Sequence, residues 1–319
     1  MAVDVKKRKK QRRRLLLAGA LVCVFVVACV GISLFDGWDA LYASVGLREQ
    51  APSSALSSEL TVHLLDVGNA DCVLVQNGEH AMLIDAGEQK SGGEIVDYLK
   101  RQGIEKLDYL IATHPHADHI GGMAEVVREV EVGVLLTTRL PDSEVPTTAV
   151  YERLLLALDE RQVPLREIEG TEEFALGDAL LAVWAPAGSY DDLNSYSLIS
   201  RVSFGSKRFL FMGDAEADEE AELLGSGFAV GANVLKVGHH GSKTSTSDSF
   251  LQQVNPSVAL IPSGRDNSYG HPSEETLEKL ARAGVEVYRS DLCGDIVVTT
   301  DGASLSVTTE IPPEGVVAA

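Results

Sequence analysis

The sequence predicts an α/β domain in which two β-sheets pack face to face with helices outside, an αββα sandwich over 59–319. One N-terminal transmembrane helix precedes it. Three observations carry this expectation. Short β-rich runs alternate with amphipathic helical stretches after residue 59, strands dominate each half of that region, and a run of 21 uncharged residues at 15–35 follows a dense basic cluster. Strand-rich halves punctuated by helices are what a two-sheet sandwich with outer helices requires.

Residues 1–14 form a basic tail, with Lys6, Lys7, Arg8, Lys9, Lys10, Arg12, Arg13 and Arg14 in nine positions. The run at 15–35, LLLAGALVCVFVVACVGISLF, would span about 30 Å as a helix, the thickness of a hydrocarbon core. Basic residues on its N-terminal flank predict a cytoplasmic N-terminus and a single-pass cell-membrane protein with its domain outside. A cleaved secretory signal is one alternative. A lipoprotein signal is another, because Val27-Ala28-Cys29 resembles a lipobox with Cys29 as the lipidated residue. The apolar run continuing to Phe35 favours the spanning helix. Residues 36–58 turn polar and serine-rich, as a linker or stalk does.

Within 59–319 the patterning predicts strands at 60–67, 72–77, 81–85 and 107–113, with a helix at 93–102 before the last. A helix at 121–130, a strand at 132–137 and a helix at 148–160 follow. Strands at 165–169, 179–184, 197–204 and 207–212 come next. The chain then alternates helix 215–224, strand 233–237, helix 246–253, strand 257–261 and helix 273–283, and ends in strands 285–289, 295–299 and 303–308. No CxxC occurs, so a cysteine metal or redox motif has no support. Cys72 and Cys293 read as two buried thiols, with a disulfide in an external domain as the alternative.

The formal net charge of the chain is −20. Without residues 1–14, 19 basic residues stand against 46 acidic ones, a net of −27. Such a body disfavours broad nonspecific nucleic-acid binding, which comes largely from Lys and Arg neutralising phosphates. Bound metal ions would supply local positive charge.

The chemistry gathers at Thr113-His114-Pro115-His116-Ala117-Asp118-His119, where three of the eight histidines fall within six positions directly after an apolar strand. A strand-end loop can aim several imidazoles and a carboxylate into one cleft, and that donor set suits Zn²⁺, Mn²⁺ or Fe²⁺. The bland alternative is a polar turn with fortuitous histidines. His63 and His80, in a strand and a turn, read as structural. The chain has no P-loop, nucleophile elbow or dinucleotide fingerprint.

HPHADHIGG resembles the HxHxDH motif of the metallo-β-lactamase superfamily, in the variant found in the external domain of DNA-uptake competence proteins of the ComEC type. Four further stretches between 59 and 308 carry the resemblance. Leu65-Asp66-Val67-Gly68-Asn69-Ala70-Asp71 is similar to an opening DVGxGD turn, with Asn69 and Ala70 as departures. Leu83-Ile84-Asp85-Ala86-Gly87 is similar to LIDxG, Phe211-Met212-Gly213-Asp214-Ala215-Glu216 to a GD motif, and Val237-Gly238-His239-His240-Gly241-Ser242 to an HHGS loop. The resemblance implies two divalent ions, Zn or Mn. His114 and His116 would bind the first, Asp118 and His119 the second, and Asp214 would bridge them. The alternative for Asp214 is the acidic start of helix 215–224. His239 is assigned to the second ion, with His240 as a supporting or catalytic residue.

Many superfamily members place another histidine ligand between HxHxDH and the bridging aspartate; none lies between His119 and His239. Asp192-Leu193-Asn194-Ser195-Tyr196-Ser197 matches the D-x-N-x-x-S pattern of competence-type members, so Asp192 or Asn194 would supply oxygen to the first ion, or the segment is only a polar turn. Oxygen ligands shift preference from zinc towards manganese. Lys243, in Gly241-Ser242-Lys243-Thr244-Ser245, would grip a phosphate. In the loop 263–272, similar to NxYGHP, His271 would serve as general acid with Arg265 near anionic charge.

Together with the expected N-terminal anchor, the resemblance implies an extracytoplasmic, membrane-anchored phosphodiesterase or nuclease acting on DNA with a metal-activated water, Asp118, His240, Lys243 and His271 being its catalytic groups. Participation in DNA uptake would require a separate membrane channel protein. Two alternatives stand beside it: a hydrolase of a small ester, lactone or diester, and a non-catalytic scaffold domain.

Overall fold

In β3 (His80–Ile84) Met82 and Ile84 face one side while Ala81 and Leu83 face the other, and both sides are buried. The same division holds in β10 (Lys207–Phe211), where Phe209 and Phe211 face away from Leu210. Successive strand side chains point to opposite faces, so these strands lie in sheets covered on both sides. The computed structural model describes residues 59–265 and 267–312, and it has that layered form.

With β1 at Leu60–Leu64, β2 at Val73–Asn77, β9 at Ile199–Phe204, β14 at Ile296–Thr300, β15 at Leu305–Thr309 and the remaining strands numbered in chain order, one sheet of eight strands among the described residues runs β15-β14-β1-β2-β3-β4-β5-β6 and a second of seven runs β13-β12-β11-β10-β9-β8-β7. Leu60, Val62, Val75, Met82 and Ile84 of the first sheet join Leu181, Val183, Val202, Phe209 and Phe211 of the second in the central core. Helices α1 (Gly92–Arg101), α3 (Met123–Glu129) and α4 (Ala149–Arg161) cover the outside of the first sheet through Ile95, Leu99, Val126 and Leu158. Helices α5 (Ala217–Ser226), α6 (Asp248–Val254) and α7 (Glu274–Arg282) cover the second through Leu223, Phe250, Leu251 and Leu280. Burial of each such side chain contributes about 1.5–3 kcal/mol.

Each sheet contains a parallel half. Strands β3, β4 (Lys106–Ala112), β5 (Glu131–Thr138) and β6 (Leu165–Ile168) pair in parallel in the first, and β10, β11 (Val234–Lys236), β12 (Val258–Ile261) and β13 (Glu286–Arg289) in the second. The outer helices supply the crossovers that parallel pairing demands. In open α/β sheets ligands bind beyond the carboxyl ends of such strands. The loops after β3, β4, β10 and β11 carry Asp85, the 113–119 histidine cluster, Asp214 and His239-His240.

The expected αββα order holds, with local differences. The first strand ends at Leu64 rather than 67, and the helix expected at 121–130 is split into a short turn α2 (Ala117–Ile120) and α3. Strand β7 (Thr171–Leu176) was not anticipated. It is a sheet-edge strand with an exposed Thr171 and Glu173, joined to β8 (Ala179–Trp184) across Gly177-Asp178, so only one side of it needs apolar residues. Cys72 and Cys293 are both free and buried. No helix among the described residues is long and apolar enough to cross a membrane. The basic tail at 1–14, the expected anchor at 15–35 with Cys29, and the linker at 36–58 lie outside the described residues.

Candidate metal centre

The cleft that gathers these strand ends has a volume of about 320 Å³ and is lined by Asn69, His116, Ala117, Asp118, Asn194, Asp214, His239, His240, Tyr269 and His271. His116 is the extended residue that starts α2, which brings Asp118 and His119 one turn past the strand end. Two glycines let this turn sit against its neighbours. A Cβ on Gly121 would meet Gln89 N at 2.3 Å, and one on Gly122 would meet Ala86 O at 2.4 Å. Asp85, His239 and His240 adopt φ of 57°, 47° and 50°, the left-handed region that non-glycine residues seldom occupy. Strain of this kind, on the order of 1–3 kcal/mol per residue, persists where surrounding structure enforces it, and it concentrates at functional sites.

Four of the imidazoles are held through Nδ1. His119 Nδ1 lies 2.8 Å from Asp85 Oδ2. Asp85 also accepts Thr113 N–H at 3.0 Å and Thr113 Oγ1–H at 2.7 Å. His240 Nδ1 is 3.2 Å from Asp71 Oδ1 and from the Pro262 carbonyl. His239 Nδ1 is 2.9 Å from Glu216 Oε1, and His114 Nδ1 is 3.3 Å from Ser197 Oγ. This is the arrangement by which outer carboxylates and hydroxyls fix the tautomer and orientation of metal-binding histidines.

The opposite nitrogens converge. His119 Nε2 is 3.2 Å from Asp214 Oδ2, and His240 Nε2 is 3.6 Å from that oxygen and 3.5 Å from Asp118 Oδ2. His114 Nε2 and His116 Nδ1 face each other at 3.0 Å. The ligand atoms of Asp71, His119, Asp214 and His240 all fall within 4.8 Å of one another. His119 Nε2, His240 Nε2, Asp214 Oδ1 and Asn194 Oδ1 are buried without a hydrogen-bond partner. Buried polar atoms left bare are costly. A cluster of bare nitrogen and oxygen donors fits divalent cations.

Charge keeps the Asp214 carboxylate ionised. Burial would raise Asp214, but His119 and His240 hold its pKa well below the usual range. Burial likewise opposes charge on the two histidines; Asp214 and Asp85 nevertheless raise His119 well above its ordinary value, and Asp214 and Asp71 raise His240 to about 9. His114 moves well downward through burial and the neighbouring His119. Burial and then His239 and His240 lower His271.

Of the residues expected from sequence, His114, His116, Asp118, His119, Asp214, His239, His240 and His271 are brought together. Within the HHGS loop it is His240, buried at 2% exposure, whose Nε2 faces both Asp118 and Asp214; His239 is partly exposed and its Nε2 stands 3.8 Å from Asp214. Asp214 is not a helix cap, since Glu216 starts α5. Of the two proposed oxygen donors only Asn194 lines the cleft. Asp192 is exposed and spends its carboxylate on the Asn194 N–H at 2.9 Å, capping the 3₁₀ turn Leu193–Tyr196. Lys243 is exposed and does not line the cleft, because it follows the turn Gly238–Gly241 outward. Arg265 uses its Nε–H on the Asp291 carbonyl at 2.9 Å. His63 bonds Tyr98 Oη and Thr61 Oγ1, and exposed His80 pairs with Asp108, both away from the cleft.

Sequence reasoning gave no role to Lys236, Asp71, Asp85 or Glu216. Lys236 is 1% exposed, pairs with Asp71, donates to the Gly213 carbonyl at 2.8 Å and lies 4.0 Å from Asp214 Oδ1. A single lysine inside the apolar run Val234-Leu235-Lys236-Val237 was the available signal, because lysine is almost never fully buried unless paired. Asp71 belongs to the 4.8 Å cluster, but its charge is taken up by Lys236 and His240 Nδ1, which makes it a support for His240.

A solved structure with a similar fold is CmlA, a diiron β-hydroxylase from Streptomyces venezuelae, with TM-score 0.52 and 16% identity, covering 82% of this chain and 59% of that one. At that identity the likeness is one of fold. Among relatives, ComE operon protein 3 of Bacillus subtilis (strain 168) is 33% identical over 262 residues, 76% of this chain and 33% of the relative. Competence protein ComA of Neisseria gonorrhoeae is 29% identical over 251 residues, 78% of this chain and 33% of the relative. Recombination protein 2 of Haemophilus influenzae is 32% identical over 256 residues, 74% of this chain and 28% of the relative. The chain spans about a third of the length of these relatives. The family described as the metallo-beta-lactamase superfamily matches residues 65–265, and the chain belongs to that superfamily.

Proposed function

We propose that the chain is a metal-dependent phosphodiesterase that cleaves DNA strands outside the cell membrane, held there by residues 15–35 and working beside a separate channel protein. The observation that carries the catalytic part is the set of buried, unpartnered ligand atoms on His119, His240 and Asp214 beside the His114–His116 pair. His114 and His116, with Asn194 as an oxygen donor, would hold one divalent ion; Asp118, His119 and His240 would hold a second, and Asp214 would serve both. Zn²⁺ or Mn²⁺ bound there would activate water at neutral pH and offset anionic charge.

The chain's own groups complete the chemistry. Asp85, Asp71, Glu216 and Ser197 fix the imidazoles before substrate arrives, so little reorganisation accompanies reaction. Water passes a proton to His271 in the same cleft, whose lowered pKa leaves the imidazole neutral and able to accept it, and adds to phosphorus; the bond from phosphorus to the leaving sugar oxygen breaks, and that oxygen takes the proton back from His271. The DNA substrate is supported by likeness to relatives named Competence protein ComA and Recombination protein 2.

The purified full chain, in detergent, should hydrolyse single-stranded DNA and a small chromogenic phosphodiester with Mn²⁺ or Zn²⁺ and leave lactones untouched. A second reading, hydrolysis of small esters or lactones, is favoured by the −27 body and by the lack of Lys or Arg among the described residues that line the cleft. Rapid lactone turnover with DNA intact would establish it instead.

A further inference from the structure

Tyr269 is 74% exposed, the highest value among the large apolar side chains that the described residues leave exposed. It nevertheless lines the same cleft as Asp118, Asp214 and His240. Its loop is tied down by one side chain. Asn267 Nδ2 donates to the Gly264 carbonyl at 2.8 Å and the His271 carbonyl at 2.7 Å, and its Oδ1 accepts the His271 N–H at 2.9 Å. The ring is therefore presented by a built loop.

Three rings form a stack that leads from solvent to the buried carboxylates. Tyr269 and His271 lie 6.0 Å apart at 25°, and His271 and His240 lie 6.5 Å apart at 20°. Tyr269 is the outermost ring, so a planar group laid on it would continue the stack. Among the described residues the cleft lining contains neither lysine nor arginine, and the sequence from residue 15 onward is strongly acidic. A polyanionic strand thus finds no lysine or arginine to pair with in the cleft, and with the histidines engaged by bound ions an uncharged contact would have to add to its affinity. Aromatic faces provide one, because every nucleobase has a π-face and stacking does not depend on sequence.

We propose that Tyr269 is the platform on which the nucleobase beside the scissile phosphodiester stacks, and that this contact substitutes for the missing basic groove. The proposal rests on the phosphodiesterase reading above. It makes recognition sequence-tolerant and weakly salt-dependent, since stacking displaces few counterions.

The test uses the full chain in detergent with Mn²⁺, a short single-stranded oligonucleotide, and the same oligonucleotide with one abasic residue moved along it. Tyr269→Ala should raise KM about tenfold with kcat and metal content unchanged. Tyr269→Phe, which keeps the face, should match the parent chain. An abasic residue next to the cleaved bond should raise the parent chain's KM by a similar factor, and should add nothing further in Tyr269→Ala. Unchanged KM in Tyr269→Ala, or losses that simply add, would overturn the platform while the parent chain's cleavage left the phosphodiesterase reading standing. A parent chain that turns over a lactone but no phosphodiester removes both.

Discussion

His240 Nδ1 lies 3.2 Å from Asp71 Oδ1, and the other nitrogen of that ring, Nε2, is thereby turned to within 3.5 Å of Asp118 and 3.6 Å of Asp214. The same Asp71 carboxylate pairs with the buried Lys236, whose ammonium also holds the Gly213 carbonyl just before Asp214. One outer ion pair thus braces two of the proposed ligands, on different strand ends, at once.

Replacing Asp71 with Ala should leave Lys236 buried without its counter-charge and His240 Nδ1 with the neutral Pro262 carbonyl as its remaining partner. Breaking a buried pair from one side costs about 3–5 kcal/mol, which a denaturant titration would register. Adding Lys236→Met should restore much of that stability, while metal content stays reduced because the Asp71 carboxylate no longer braces His240. Recovery of metal together with stability would reduce Asp71 to a purely structural role.

The two histidines of the HHGS loop should differ. His240→Ala removes the buried nitrogen that faces both carboxylates, and the chain is expected to retain about one ion instead of two. His239→Ala, at the partly exposed position bound to Glu216, should keep both ions. Metal analysis of the two purified variants checks this, and the opposite pattern would exchange their roles.

Asp85 accepts three hydrogen bonds, two from Thr113 and one from His119 Nδ1. Asp85→Asn should weaken binding of the ion at His119 by roughly 10–100-fold, as loss of an outer partner does at other metal sites. Competition with a chromogenic chelator measures the change.

His63 provides a pH signature away from the cleft. Burial lowers its pKa to about 4, and the ring is hydrogen-bonded to Tyr98 and Thr61. Its unfolded value is near the ordinary 6.5, so the unfolded chain takes up the proton first as pH falls. The contribution is fully present above 6.5 and is lost towards pH 4, about 3 kcal/mol in total. His63→Gln should flatten the stability profile in that window relative to the parent chain. Parallel profiles would mean that His63 titrates normally in the fold.

Much of the fold was legible because period-2 and helical patterns agree with burial on both faces of each sheet, as in β3 and β10. β7 escaped because, at a sheet edge, Thr171 and Glu173 can stay exposed and the strand looks polar. The histidine cluster was legible because its members are sequence neighbours. The choice of His240 over His239 as the inward ring was not, since it depends on two consecutive left-handed residues. Nor were Asp192 and Lys243, whose residue types suit a site but whose side chains the backbone turns outward. Lys236 and Asp71 are far apart in sequence, and only the packing of β11 against the turn before β2 (Val73–Asn77) pairs them.

The most direct test is metal stoichiometry in the purified full chain and in Asp214→Ala. Asp214 Oδ2 faces His119 Nε2, His240 Nε2 and His239 Nε2, at 3.2, 3.6 and 3.8 Å. The parent chain should bind two divalent ions, and Asp214→Ala should lose both, or nearly all phosphodiester hydrolysis, while remaining folded. An Asp214→Ala chain with full metal content and full activity would contradict a dinuclear centre at this site.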